Sequence, residues 1–133
     1  VPAYLNETSA ATGPGMLLTH YAPRARLMLY DGSPDAVQMA LIQGIAEQQQ
    51  LGKSVGVLII MDNPTRYEQA GAKVIHAGET LESAASGLFR AMRELDSQGV
   101  DVILADAPPA SGIGLAIRDR LIRAASGQII RVH

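Results

Sequence analysis

Cysteine is absent from this 133-residue chain, which excludes disulfides, thiolate metal sites and a cysteine nucleophile. Long hydrophobic runs are absent too. None approaches the ~20 residues a membrane helix needs, so no membrane partner is expected. Neither sign of charge dominates: 11 Lys and Arg face 13 Asp and Glu, for a formal net charge of −2. That balance gives no overall electrostatic pull toward nucleic acid, and direct nucleic-acid binding is not expected. Internal repeats are missing, and the one biased tract, Gln48-Gln49-Gln50, reads as a solvated helix end. What remains is a chain of single-domain length, able to bury a core without covalent staples. A cysteine-free chain of this kind fits a reducing cytosol, and a cytoplasmic location is expected.

Several chemical signatures are lacking as well. The first strand-to-helix turn reads Asp31-Gly32-Ser33-Pro34-Asp35, without the Gly-x-Gly-x-x-Gly that lets a pyrophosphate approach a helix backbone. Asp35 adds negative charge where that phosphate would sit, so NAD or FAD binding is not expected. His20, His76 and His133 are far apart and show no metal-ligand spacing. No Gly-x-Ser-x-Gly elbow supports a hydrolase triad. Asp62, Asp101 and Asp106 fall in or just beyond two strands. A pair of carboxylates above a sheet could hold Mg²⁺ or act as acid and base. Turn chemistry explains Asp62 and Asp106 equally well. Asp101, one residue inside its strand, is expected at an edge or in solvent. No metal site is expected.

From Arg26 onward, strands and helices alternate. Arg26–Tyr30 is a short apolar strand. Ser33 and Pro34 form an N-cap and first-turn pair, opening a helix with Val37, Ala40, Leu41, Gly44, Ile45 and Gln48 on one side, and Gly52 ends it. Ser54–Met61 is a continuous, β-branched run of the kind found in central parallel strands. A short helix through Tyr67 to Ala70 follows, then a strand at Lys73–His76. Thr80 caps a long helix whose Leu81, Ala84, Ala85, Leu88, Met92 and Leu95 form the clearest amphipathic stripe in the chain. Gly99 stops it. Val100–Ala105 is the fourth strand. After a rigid loop, a helix covers about 113–125 and a last strand 128–132. The expected fold is a three-layer, Rossmann-like α/β sandwich of about five mostly parallel strands, with right-handed crossovers and strand order 3-2-1-4-5. Its crevice should lie over Asp31–Ser33 and Asp106–Gly114, at the carboxyl ends of the strands.

Residues 1–25 show no periodic element, a long lead for a compact domain. The chain also begins at Val1 without an initiator methionine, which fits a piece of a longer polypeptide. Within the lead, Gly13-Pro14-Gly15-Met16-Leu17-Leu18-Thr19-His20-Tyr21-Ala22-Pro23 suits neither a helix nor a central strand, yet it carries more apolar and aromatic surface than a solvated tail requires. It reads as an interdomain linker over 1–25, followed by a globular domain over 26–133.

That segment resembles the linker of L-threonylcarbamoyladenylate synthases, which reads Ser/Ala-Pro-Gly-Met, a few variable residues, then His-Tyr-Ala/Ser-Pro. Leu88–Asp96, Gly99–Ala105, Gly112–Ile117 and Arg120-Leu121 resemble the same family's C-terminal domain. Arg118-Asp119 stand where the family usually has Met-Asn, and Leu17 where a lysine is common. The resemblance implies a C-terminal accessory domain without its N-terminal catalytic partner, so this polypeptide alone is expected to be non-catalytic and to hold no cofactor. The parent enzyme would be a nucleotidyltransferase using ATP and Mg²⁺. Threonine's amine would capture CO₂ from bicarbonate, and the carbamate would attack the α-phosphate. Threonylcarbamoyl-AMP and pyrophosphate would result, serving threonylcarbamoyladenosine modification of tRNA. In such a protein His20, Tyr21, Pro23 and Met16 would belong to a lid over the substrate pocket, and ATP, L-threonine and bicarbonate would be met through the catalytic domain.

Within the globular part, Ser33, Ser111, Gly112, Gly114 and Arg120 mark an anion or ligand crevice, since backbone N–H groups at a helix start hold anions. A tight loop and a solvated basic face account for the same residues. A stand-alone ligand-binding or regulatory α/β domain is the alternative reading of the whole.

Overall fold

The computed structural model describes residues 23–60 and 62–133. Among them, five strands and four helices alternate: β1 (Arg26–Asp31), α1 (Pro34–Gln50), β2 (Val55–Ile60), α2 (Thr65–Gln69), β3 (Lys73–Gly78), α3 (Leu81–Ser97), β4 (Val102–Asp106), α4 (Gly112–Ala124) and β5 (Ile129–Arg131). The local signals act as expected. The Ser33 hydroxyl accepts from the Ala36 N–H, with Pro34 opening α1. Thr80 and Ser83 form a reciprocal capping box on α3. Gly52 and Gly99 follow α1 and α3 with φ of +79° and +77°, a left-handed conformation that glycine adopts without a Cβ clash.

All five strands are parallel, in the order β3-β2-β4-β1-β5. This corrects the expected 3-2-1-4-5. The crossover from β1 to β2 passes over β4 rather than landing beside β1, and β1 pairs with β4 on one side and β5 on the other. The burial pattern gives the reason. β2 is buried at all six positions and β4 at its first four, the profile of inner strands. β1 exposes Arg26, and the three-residue β5 shelters only its second half. β4 also starts two residues later than expected, leaving Asp101 exposed ahead of it.

Two cores flank the sheet. Val37, Leu41 and Ile45 of α1 and Tyr67 of α2 pack on one face with Val57, Ile59 and Leu104. Leu88, Met92 and Leu95 of α3 and Ile117 and Leu121 of α4 pack on the other with Leu29, Leu58 and Ile103. Each such fully buried side chain contributes about 1.5–3 kcal/mol. A single helix cap contributes about 1 kcal/mol, so the apolar stripes dominate helix docking. Gly44 lets α1 approach β1: a Cβ there would lie 2.6 Å from the Tyr30 hydroxyl.

Candidate functional site

Helices α1 and α2 leave the sheet on one face and α3 and α4 on the other, so the loops after β1 and β4 diverge. Those strands are neighbours in both the expected and the observed order, which is why the crevice falls where the sequence places it. A cavity of about 520 Å³ opens there, bounded by Asp31, Ile60, Leu81, Asp106, Pro108 and Arg118 among others. Such a switch point at strand carboxyl ends is the usual ligand position in open α/β sheets.

Side-chain alternation along the strands sorts the acids. Asp106 follows Leu104 by two residues and so lies on the α1/α2 face. Asp31 follows Leu29 by two and lies on the α3/α4 face. On its face Asp31 is fully compensated. Arg118 of α4 donates to both carboxylate oxygens, with 3.1 Å between Nη1 and Oδ1, and Arg131 reaches Oδ2 at 3.0 Å. The hydrogen bond from Arg118 is the main reason the Asp31 carboxyl lies below the usual carboxylate range. Arg118 also reaches the Pro108 carbonyl at 3.4 Å, pinning the loop over α4.

Asp106 has no such ion pair among the described residues, although its carboxylate takes a hydrogen bond from its own backbone N–H. Its Oδ1 is buried with no hydrogen-bond partner among the described residues. Burial first, and then the charge of Asp62, push its carboxyl up to about 6. Asp62 itself is engaged: Oδ2 accepts from the buried Tyr67 hydroxyl at 2.7 Å and Oδ1 from the Asn63 N–H at 2.7 Å. Burial and that hydrogen bond raise the Tyr67 phenol above its ordinary value.

The other sequence-derived residues are placed as follows. Ser33 caps α1 from an exposed position. Ser111 and Gly112 are exposed at the start of α4, and Gly112 has φ +59°. Gly114 is buried, and a Cβ there would collide with the Pro109 carbonyl, so its small size seats the Pro108-Pro109 loop. Arg120 points away from the crevice, its guanidinium 5.9 Å from the Phe89 ring centroid. The arginine at the cavity is Arg118, and Asp119 pairs with exposed Arg123. His76 sits on β3 with Nδ1 3.3 Å from the Gly78 carbonyl, and His133 is exposed. Among the described residues, no group of three His, Cys, Asp or Glu is placed to hold a metal ion, and no helix is long and apolar enough to cross a membrane.

His20, Tyr21 and Met16 lie outside the described residues. Pro23 is half-buried just ahead of β1. Beside it is a feature that sequence reasoning missed. Asp96, a buried acid at the end of α3, accepts from the backbone N–H groups of Arg24 at 3.0 Å and Ala25 at 3.2 Å. Arg24 returns a bond to the Asp96 carbonyl at 3.3 Å. This clasp ties down the chain where the linker motif ends. It was signalled by position alone: Asp96 falls four residues after Met92, on the apolar stripe.

Residues 2–126 match the family model described as the threonylcarbamoyl-AMP synthase C-terminal domain. The chain is 44% identical over 118 residues to the threonylcarbamoyl-AMP synthase of Bacillus subtilis (strain 168), covering 89% of this chain and 33% of that protein. Against the Pyrococcus abyssi threonylcarbamoyl-AMP synthase it is 37% identical over 129 residues, covering 97% and 36%. The crystal structure of P. abyssi Sua5 complexed with L-threonine matches with a TM-score of 0.75 at 37% identity, over 98% of this chain and 36% of that one. The C-terminal Sua5 domain from Pyrococcus horikoshii matches with a TM-score of 0.64 at 31% identity, over 83% and 99%. The chain spans about a third of the length of these curated relatives. By its sequence and its fold, this chain belongs to the C-terminal domain family of the threonylcarbamoyl-AMP synthases.

Proposed function

We propose that residues 1–25 and 26–133 serve as lid-bearing linker and accessory domain of a two-domain enzyme acting in tRNA threonylcarbamoyladenosine modification in the cytoplasm. In this reading the enzyme condenses L-threonine, bicarbonate and ATP. A carbamate oxygen formed from threonine's amine and CO₂ bonds to the α-phosphorus, and pyrophosphate leaves with its electron pair. The N-terminal domain holds ATP, Mg²⁺ and the reacting atoms. This chain contributes the segment that closes over them and does not contact tRNA.

The observation that carries the proposal is the junction at Arg24 and Ala25. A segment bearing Met16, His20, Tyr21 and Pro23 leads directly into backbone held by the buried Asp96 carboxylate. A lid fixed at one end searches less space before closing, which raises its effective concentration over the pocket. Closure matters for this chemistry. A carbamate loses CO₂ and a mixed anhydride hydrolyses, and excluding water protects both. His20 would donate to a phosphate or carboxylate oxygen, and Tyr21 would stack or hydrogen-bond.

The test is pyrophosphate release from threonine, bicarbonate and ATP. The isolated chain should give none. In the full-length protein His20→Ala should lower turnover while the C-terminal domain keeps its fold by circular dichroism. Turnover by the isolated chain, or unchanged kinetics in the variant, would count against the reading.

A further inference from the structure

The cavity at the carboxyl ends of β1, β2 and β4 is outside the role proposed above, which uses the opposite end of the sheet. Its polar groups do not favour an anion. Arg118 is committed to Asp31 and to the Pro108 carbonyl, and exposed Arg131 shares the same carboxylate. Asp62, near Asp106 but outside the cavity lining, accepts from Tyr67 and Asn63. The group left with unmet capacity is an acceptor, the Asp106 carboxylate. It lines the cavity, and its buried Oδ1 has no partner among the described residues. Native structures leave few such groups, and each calls for an explanation. The adjoining walls are apolar: Val37, Ile60, Leu81, Ala107 and Pro108.

We propose that this cavity is a ligand site for a small organic cation, a primary ammonium on a short apolar body, with the ammonium donating to Asp106 and the body lying against Ile60, Val37 and Pro108. An ammonium meeting the Asp106 carboxylate from the cavity would offset a negative charge whose buried Oδ1 has no donor among the described residues, and a charge-assisted bond in a partly dry site is among the stronger ones. A divalent metal fits less well. Both oxygens of Asp62 already accept hydrogen bonds, and the apolar walls offer a hard cation no ligands. The site would give the accessory domain a ligand of its own, independent of the lid.

The test uses benzylamine, benzyl alcohol and benzoate, which share a ring and differ in charge. A C-terminal Sua5 domain has been solved as a separate chain, so backbone NMR on this chain is a fair assay. Benzylamine at millimolar concentration should shift the amides of Gly32, Leu81, Asp106 and Ala107. Benzyl alcohol should bind at least about tenfold more weakly, as expected for loss of a charge-assisted bond, and benzoate should leave these amides in place. Asp106→Asn should weaken benzylamine by a similar factor. The proposal is overturned if benzylamine shifts none of these amides, if benzoate or benzyl alcohol binds as well as benzylamine, or if Asp106→Asn binds it within about twofold of the unsubstituted chain. The comparison of the three probes stands without any variant.

Discussion

The two ends of this sheet hold their aspartates differently. At the amino end, Asp96 and Asp101 sit among donors. Asp96 accepts two backbone N–H groups of the incoming chain, and Asp101 accepts from the Ser54 N–H at 2.9 Å and its hydroxyl at 3.3 Å. At the carboxyl end, Asp31 is paired while Asp106 is not. The contrast separates a structural end, where Asp96 and Asp101 both accept backbone N–H groups, from an end where one carboxylate is held at a cost to the fold. Native structures keep few such groups, and each calls for an explanation.

The comparison can be broken first at the amino end. Asp96→Ala removes the acceptor for two backbone N–H groups, and each donor left buried costs about 1–3 kcal/mol. A loss of roughly 2–4 kcal/mol is expected in urea denaturation, with faster proteolysis ahead of Ala25. A loss under about 0.5 kcal/mol would mean that the clasp contributes nothing.

A smaller effect is expected at the paired acid of the carboxyl end. Arg118→Met leaves Asp31 with exposed Arg131 alone and should cost about 1–2 kcal/mol at neutral pH. Because the Asp31 carboxyl lies below its ordinary value, its contribution is present above about pH 4 and is lost as pH falls through the lowered value. The gap between variant and parent should therefore close in acid. A gap independent of pH would assign the loss to packing of the arginine stem.

Most of the element pattern was legible because its causes are local. Ser33-Pro34, Thr80, Gly52 and Gly99 bound helices through their own backbone chemistry, and Leu88, Met92 and Leu95 announce a buried stripe by spacing alone. Strand order was not legible in the same way. Whether the β1–β2 crossover passes over β4 depends on contacts distant in sequence, and only the unbroken apolar character of Val102–Ala105 hints at a central place. A cavity does open at the loops after β1 and β4, and the arginine lining it is Arg118. Arg118 lies four residues after Gly114, on the side facing the Pro108 loop, whereas Arg120 lies on the side facing Phe89. That distinction depends on how α4 is rotated against its neighbours, which spacing within one helix does not fix. Gly112 and Gly114 read equally well as an anion loop or as backbone geometry. Their φ and close approach supply a geometric reason for both.

The most direct measurement of the difference between the two ends is the folding stability of Asp106→Asn against the unsubstituted chain at pH 7.5 and pH 4. Asp106 has a raised carboxyl, about 6. The native state therefore binds more protons than the unfolded chain between about pH 4 and 6, and the charged form destabilises the fold above that window. The variant should be more stable by about 1–3 kcal/mol at pH 7.5 and nearly equal at pH 4. A variant no more stable at pH 7.5, or with the same difference at both pH values, would contradict the account.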